Sequence, residues 1–364
     1  REHDSAVEAA VEALVQGDSR SYYTSLADSL LRELLPVPDS RSLLAQIRES
    51  RDYSGPVFTD VTADYGLQEI AVGRVAWGDY DDDGFQDLLL NGSRLFRNRR
   101  GGCFREVTDS LFTSPIRGNG GIWGDFNNDG LLDIVTKDPE ALWQQSRDGF
   151  HDSGWLPDNL VPTEGLAAGD VNGDGRLDIY LANYEHDGRY EHDQLFRGDP
   201  VAGLVEETAD RGLLPDDLNP RAGRGVNMGD YDDDGDLDIF VSNYRLNENF
   251  LWRNEGTGYF QNAAREAGVS GVEVDGWWGH TIGSEWGDYN NDGYFDLITA
   301  NLAHPRYIEF SDKTMLYTNS GPPVWQFRDT RSRAGIRFEE THSEPAWGDV
   351  NNDGFLDLYL NDVY

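Results

Sequence analysis

A nine-residue acidic loop occurs six times, starting at Asp79, Asp125, Asp170, Asp230, Asp288 and Asp349. Its pattern is Asp-x-Asp/Asn-x-Asp-Gly-x-x-Asp. A glycine precedes every copy, and an apolar run follows, such as Leu88-Leu89-Leu90 or Ile239-Phe240-Val241. A unit repeated at near-regular intervals must fold the same way each time. The repeat therefore fixes the architecture before any single element is assigned.

The loop chemistry is that of a hard cation. Calcium takes about six to eight oxygen ligands from carboxylates, amides and carbonyls. In the first loop Asp79, Asp81, Asp83 and Asp87 supply side-chain oxygens and Phe85 a main-chain carbonyl, with Gly84 turning the chain. The second loop offers Asp125, Asn127, Asp129 and Asp133 with the carbonyl of Leu131. The third offers Asp170, Asn172, Asp174 and Asp178 with Arg176. The fourth offers Asp230, Asp232, Asp234 and Asp238 with Asp236. The fifth offers Asp288, Asn290, Asp292 and Asp296 with Tyr294. The sixth offers Asp349, Asn351, Asp353 and Asp357 with Phe355. About six calcium ions are expected. Magnesium, which keeps its waters, is the weaker candidate.

An EF-hand would need a glutamate at the twelfth position and a helix on each side. Here the twelfth residues are Leu90, Thr136, Leu181, Val241, Thr299 and Leu360. The residues after each loop have strand character rather than helical period. Each loop is thus expected to join two strands of a hairpin. A single copy could be an Asp-Gly turn without metal; six complete copies favour the ion.

The chain carries 67 acidic and 30 basic residues, a net charge of -37. Six divalent cations would still leave about -25, so the excess argues against nucleic-acid or anionic-membrane partners. No apolar run is long enough to span a bilayer. The lone Cys103 has no partner for an internal disulfide and is expected to be packed or half-exposed. Calcium is then the staple, and such weak loop sites suit a secreted, extracellular, cell-surface or periplasmic protein. The sequon Asn91-Gly92-Ser93 is at least as readily a chance occurrence.

Residues 1–52 read as a helical N-terminal arm, with Ala6, Val7, Ala10, Val11 and Leu14 at helical spacing. From residue 56 to 364 the repeats take over. Successive first aspartates stand 46, 45, 60, 58 and 61 residues apart. Each unit reads as a lead-in strand (Val75-Ala76-Trp77-Gly78), the loop, a second strand, a third carrying Leu-aromatic (Leu95-Phe96, Leu251-Trp252) and a fourth opening on an aromatic (Phe104, Phe260, Phe327). Four short antiparallel strands at this period make an all-β propeller blade. Phe58-Thr59-Asp60-Val61-Thr62 is a fourth-strand signature without a blade of its own, and the sixth unit stops after its second strand. The first could complete the last, in a ring closed by strand exchange. Alternatively a seventh blade or a neighbouring chain supplies the missing edge, which would give a homo-oligomer or filament.

These loops and flanks resemble the FG-GAP/VCBS repeat class, which includes the integrin α-subunit propeller. The phrases at 58–67, 75–84 and 95–98 are similar to those of secreted proteins of the ASPIC/UnbV type. The resemblance implies a calcium-binding propeller of seven blades, and little about activity.

Longer segments follow or precede some strands. Tyr184–His192, Ala303–Tyr307 and Glu273–His280 hold histidine, arginine and aromatics, and His342 precedes the sixth loop. A propeller face built from them could take a protein or glycan ligand. His186, His192, His280 and His342 are the candidates for metal ligation or general-base work, as in a polysaccharide lyase or sugar dehydratase. No zinc spacing, nucleophile elbow or phosphate loop accompanies them. The leading expectation is a calcium-held adhesion, scaffolding or ligand-binding module without catalysis. A lyase and a self-assembling extracellular subunit using strand complementation are the alternatives.

Overall fold

The computed structural model describes residues 59–157, 161–302, 313–336 and 342–362. The helical arm expected over 1–52 and the insertion at 303–307 lie outside these residues. Thr59–Asp362 form one compact unit. Its first four-stranded antiparallel sheet is β1 (Val75–Gly78), β2 (Asp87–Leu90), β3 (Arg94–Asn98) and β4 (Phe104–Glu106). The second is β5 (Gly121–Gly124), β6 (Asp133–Thr136), β7 (Ala141–Ser146) and β8 (Gly149–Asp152). The third pairs β9 (Thr163–Gly169), β10 (Asp178–Asn183), β13 (Gln194–Asp199) and β14 (Gly203–Glu206). A small hairpin, β11 (Glu185–His186) with β12 (Arg189–Tyr190), is interposed. The fourth holds β15 (Ala222–Gly229), β16 (Asp238–Tyr244), β17 (Phe250–Asn254) and β18 (Phe260–Asn262). The fifth holds β19 (Thr281–Gly287), β20 (Asp296–Asn301), β21 (Met315–Asn319) and β22 (Phe327–Asp329). The sixth shows two strands, β23 (His342–Gly348) and β24 (Asp357–Asp362). Two four-residue helices, α1 (Thr108–Leu111) and α2 (Ala264–Ala267), follow the fourth strands of sheets one and four.

After the ninth aspartate the second strands carry consecutive apolar residues rather than an alternating pattern, and the packing explains why. Side chains of a strand point to opposite faces in turn. In β10, Ile179 and Leu181 enter the core shared with sheet two, while Tyr180 and Ala182 enter the core shared with sheet four. In β16, Ile239 and Val241 face sheet three and Phe240 faces sheet five. The second strands of sheets one to five are buried on both sides, the condition that produces continuous apolar runs, whereas Tyr359 of β24 is exposed. The cores lie between consecutive sheets, and the first strands β1, β5, β9, β15, β19 and β23 lie side by side in chain order. This is a propeller-like fan of blades.

Charged side chains join the fan along those first strands. Glu164, at the start of β9, accepts from Arg74 before β1 at 2.6 Å. It also lies 3.5 Å from Lys137, just after β6, and from Arg224 in β15. One glutamate thus holds cations from sheets one, two and four. Burial lowers the Lys137 pKa to about 8, and the facing Glu164 acts against that shift.

The fourth-strand signature at 58–62 takes a different form where it is described. From Val61 the chain turns, with Tyr65 N–H donating to Val61 O and Leu67 N–H to Thr62 O. The sequon side chain is also occupied. Asn91 Oδ1 accepts from Gly73 and Arg74 N–H, and Nδ2 donates to Ala71 O. Cys103 is exposed, not packed or half-exposed as its apolar character suggested.

Candidate metal centre

Each acidic loop spans a hairpin between the first two strands of a sheet, as its apolar flanks require. The first aspartate organises the turn. Asp79 accepts from the N–H groups of Asp83 at 3.1 Å and Gly84 at 2.8 Å. Asp125, Asp170, Asp230, Asp288 and Asp349 repeat both bonds in their own loops. Asn127, Asn172, Asn290 and Asn351, at the third position, accept from the N–H of the fifth residue. These are Asx turns, in which a short polar side chain replaces a main-chain acceptor.

Sequence reading assigned the turn to the glycine at the sixth position alone. The loops in fact use two left-handed residues. Gly84, Gly130, Gly175, Gly235, Gly293 and Gly354 have φ between 84° and 93°. The fourth residue is left-handed as well: Asp82 at 51°, Asp233 at 53°, Asn128, Asn291 and Asn352 at 58°, and Gly173 at 69°. The signal was present, because all six fourth residues are Asp, Asn or Gly, the types that tolerate this conformation.

The ninth aspartate is the deepest member and has a second task. Asp87 Oδ1 accepts from Asn98 N–H in β3 at 2.7 Å, and its Oδ2 from Tyr80 N–H in the loop at 3.2 Å. Asp133, Asp178 and Asp238 make the same two bonds to their own third strands and loops. Asp296 accepts from Asn319, and Asp357 from Val350. The ninth residue therefore braces loop to third strand. Burial raises its pKa, to about 6 at Asp87 and Asp178, about 7 at Asp133 and Asp296 and about 8 at Asp238. The two main-chain donors oppose that shift at Asp87, Asp133, Asp178 and Asp238.

Two loops bring three carboxylates to one point. One ligand oxygen from each of Asp79, Asp81 and Asp87 lies within 4.8 Å of the others, and Asp230, Asp232 and Asp238 form the same group. Asp81 Oδ1 and Asp232 Oδ1 are buried with no hydrogen-bond partner. A buried carboxylate oxygen left unpaired is costly, and a cation would satisfy it. The donor set, carboxylate and amide oxygens with a carbonyl at the seventh position, fits a hard divalent ion. In the first loop the Arg97 guanidinium reaches Asp81 at 2.6 Å and Asp83 at 3.2 Å.

The four candidate histidines occupy separate environments. His186 is exposed in the β11–β12 hairpin, 3.7 Å from Asp187. His192 is half-buried, and burial lowers its pKa. His280 is buried against the Tyr244 ring at 4.5 Å. His342 is buried at the start of β23 with Nδ1 2.8 Å from Thr314 Oγ1. Sequence reading missed a cationic and aromatic group that adjoins Glu164 through Arg224. Arg224 lies 5.2 Å from the Tyr184 ring and 5.7 Å from that of Tyr244, and Arg245 lies 5.7 Å from Tyr184. Arg245 also pairs with Glu185.

Consecutive four-stranded antiparallel sheets, each opened by an acidic nine-residue loop, define a repeat protein of propeller-like fold. The chain carries FG-GAP-like repeats, matched at residues 79–136 and 230–299. Over 215 residues it is 30% identical to cartilage acidic protein 1 of Homo sapiens and 29% identical to that of Mus musculus. The match covers 56% of this chain but 29% and 30% of those proteins, so the chain spans less than a third of their length. Among solved structures, an Agrocybe aegerita lectin that recognises non-reducing terminal N-acetylglucosamine aligns with TM-score 0.46 and 16% identity, over 78% of this chain and 73% of its own. The V. cholerae biofilm matrix protein Bap1 aligns with TM-score 0.39 and 14% identity, over 72% and 40%.

Proposed function

We propose that this chain is an extracellular calcium-binding β-propeller that serves as an adhesion, scaffolding or ligand-binding module, and that its calcium is structural. The reading is carried by the loops. All six have the same turn and the same first-aspartate bonds. Two gather three carboxylates, one of which in each loop has a buried oxygen without a hydrogen-bond partner. Residues 79, 81, 83 and 87 and their counterparts would hold the ion, with the carbonyl of the seventh residue. Calcium supplies charge neutralisation where carboxylates crowd, and thereby fixes each hairpin between first and second strands. The blades form a ring around the Glu164 cluster, and the face beside Arg224, Tyr184 and Tyr244 is the place for a protein or glycan. No helix among the described residues is long and apolar enough to cross a membrane.

The test is thermal unfolding with calcium and with a chelator. Metal that binds only the folded chain must raise the melting temperature as its concentration rises. An unchanged transition would overturn the structural role. Screening polysaccharides for unsaturated products tests the lyase alternative.

A further inference from the structure

The six acidic loops differ in what stands at their third and fourth positions. Loops one and four have aspartate at both, Asp81 with Asp82 and Asp232 with Asp233. These two loops gather three carboxylates each and leave Asp81 Oδ1 and Asp232 Oδ1 buried without a hydrogen-bond partner. The other four have asparagine at the third position, and its Oδ1 is already taken by the N–H of the fifth residue. At their fourth position stand Asn128, Gly173, Asn291 and Asn352.

Two of those asparagines run forward to the next loop. Asn128 Nδ2 donates to Gly175 O at 2.7 Å, from loop two to loop three, and Asn291 Nδ2 donates to Gly354 O at 2.9 Å, from loop five to loop six. Both ends of each bond bear on the metal ligands. Asn128 sits between the ligands Asn127 and Asp129, and Asn291 between Asn290 and Asp292, each with φ 58°. Gly175 and Gly354 are the turn glycines. The peptide that each begins carries the N–H accepted by Asp174 at 3.0 Å or by Asp353 at 2.9 Å. The next carbonyl along, that of Arg176 or Phe355, is the seventh-position ligand. The same link cannot leave loops one, three or four. The carboxylates of Asp82 and Asp233 accept and do not donate, and Gly173 has no side chain.

We infer that the calcium sites are coupled in pairs, loop two with loop three and loop five with loop six, whereas loops one and four fill independently. Asn128, Gly175, Asn291 and Gly354 are all exposed, so water competes for both amide bonds. Each bond persists only while its two loops keep their shape. Asn127 and Asp129, once they ligate an ion, fix Asn128 between them and aim its donor. The bond then holds the Gly175–Arg176 peptide, which immediately precedes the carbonyl ligand of loop three. Ligation in loop three acts back on loop two by the same factor, because coupling between two sites is reciprocal. The coupling cannot exceed the net worth of one hydrogen bond, which sets it at about three- to tenfold in affinity. This pairing rests on the calcium reading above.

The test is hydrogen exchange, read loop by loop across a calcium titration of the 364-residue chain. In the parent, loops two and three gain protection together, as do loops five and six. Asn128→Gly keeps the left-handed conformation and removes the donor. It should raise the calcium needed to protect loop three, whose own residues are unchanged, by about three- to tenfold, and leave loops one, four, five and six as they were. Asp233→Gly is the control, since loop four has no forward bond to lose, and it should leave loop five unmoved. An unmoved loop three in Asn128→Gly, with calcium still protecting it, overturns the pairing and leaves the calcium reading standing. An equal shift of loop five in Asp233→Gly overturns the pairing as well, because any loosened loop would then disturb the next. Protection that never responds to calcium defeats the calcium reading and the pairing together. Should Asn128→Gly not fold, Asn291→Gly puts the same question to loops five and six.

Discussion

The Trp123 indole lies flat across Gly78, closer than any side chain at that position would allow. At Gly78, Gly229 and Gly287 the glycine before the acidic loop is therefore a packing requirement, because its missing Cβ leaves room for the next blade's ring. Gly78→Ala and Gly287→Ala should each cost about 1–3 kcal/mol, because the neighbour is a rigid indole held in a core. Denaturant unfolding at saturating calcium measures this, and a neutral effect would show that the rings shift freely.

Much of this was legible in the residues. The loops, the strand order and the blade period followed from a pattern repeated six times, and each of the hairpins forms where the loop spacing placed it. The left-handed fourth residue was visible in its Asp, Asn or Gly identity, but the loop pattern left that position open. The Glu164 cluster was not legible, because Arg74, Lys137 and Arg224 lie 27 to 90 positions from Glu164 and meet only through the fan. The histidines show the opposite failure. Their clustering along the chain suggested one site, yet His342 bonds Thr314 and His280 packs on Tyr244 inside separate sheets.

The forward amide bonds make the loops mutually dependent. Asn128→Ala removes the donor to Gly175 O and places a Cβ-bearing residue without a polar side chain in the left-handed region at φ 58°. The loss should be about 1–2 kcal/mol. Asn128→Gly keeps the conformation and should recover part of it. Equal losses in the two variants would assign the whole effect to the hydrogen bond.

Asp193 provides a titration away from the acidic loops. It is buried in sheet three, accepts from Asn183 N–H at 2.8 Å and Tyr180 O–H at 3.0 Å, and burial raises its pKa to about 7. A carboxyl whose folded pKa lies above its unfolded value of about 3.9 favours folding in its neutral form. Its contribution is complete below that unfolded value and is lost as pH rises through about 7. Asn249 fills the equivalent place in sheet four, where it accepts from Asn243 N–H. Asp193→Asn should therefore fold and should flatten the stability profile between about pH 4 and pH 7 at saturating calcium. A parallel profile in parent and variant would contradict the shift.

Arg97 bears on the first loop alone. Its guanidinium spans Asp81 and Asp83, two of the residues that would ligate calcium, and so already supplies part of the positive charge that the loop needs. A cation arriving there meets a like charge held by its own ligands. Arg97→Ala removes that repulsion. At separations of a few ångström and the effective dielectric of a half-exposed site, the change amounts to about 1–2 kcal/mol, or roughly tenfold in affinity. Calcium titration should show one site tightening by that factor while the others keep their affinity, and the calcium-free chain should lose stability. Weaker binding would mean that the guanidinium serves to aim Asp81 and Asp83, so that its positional role outweighs its charge.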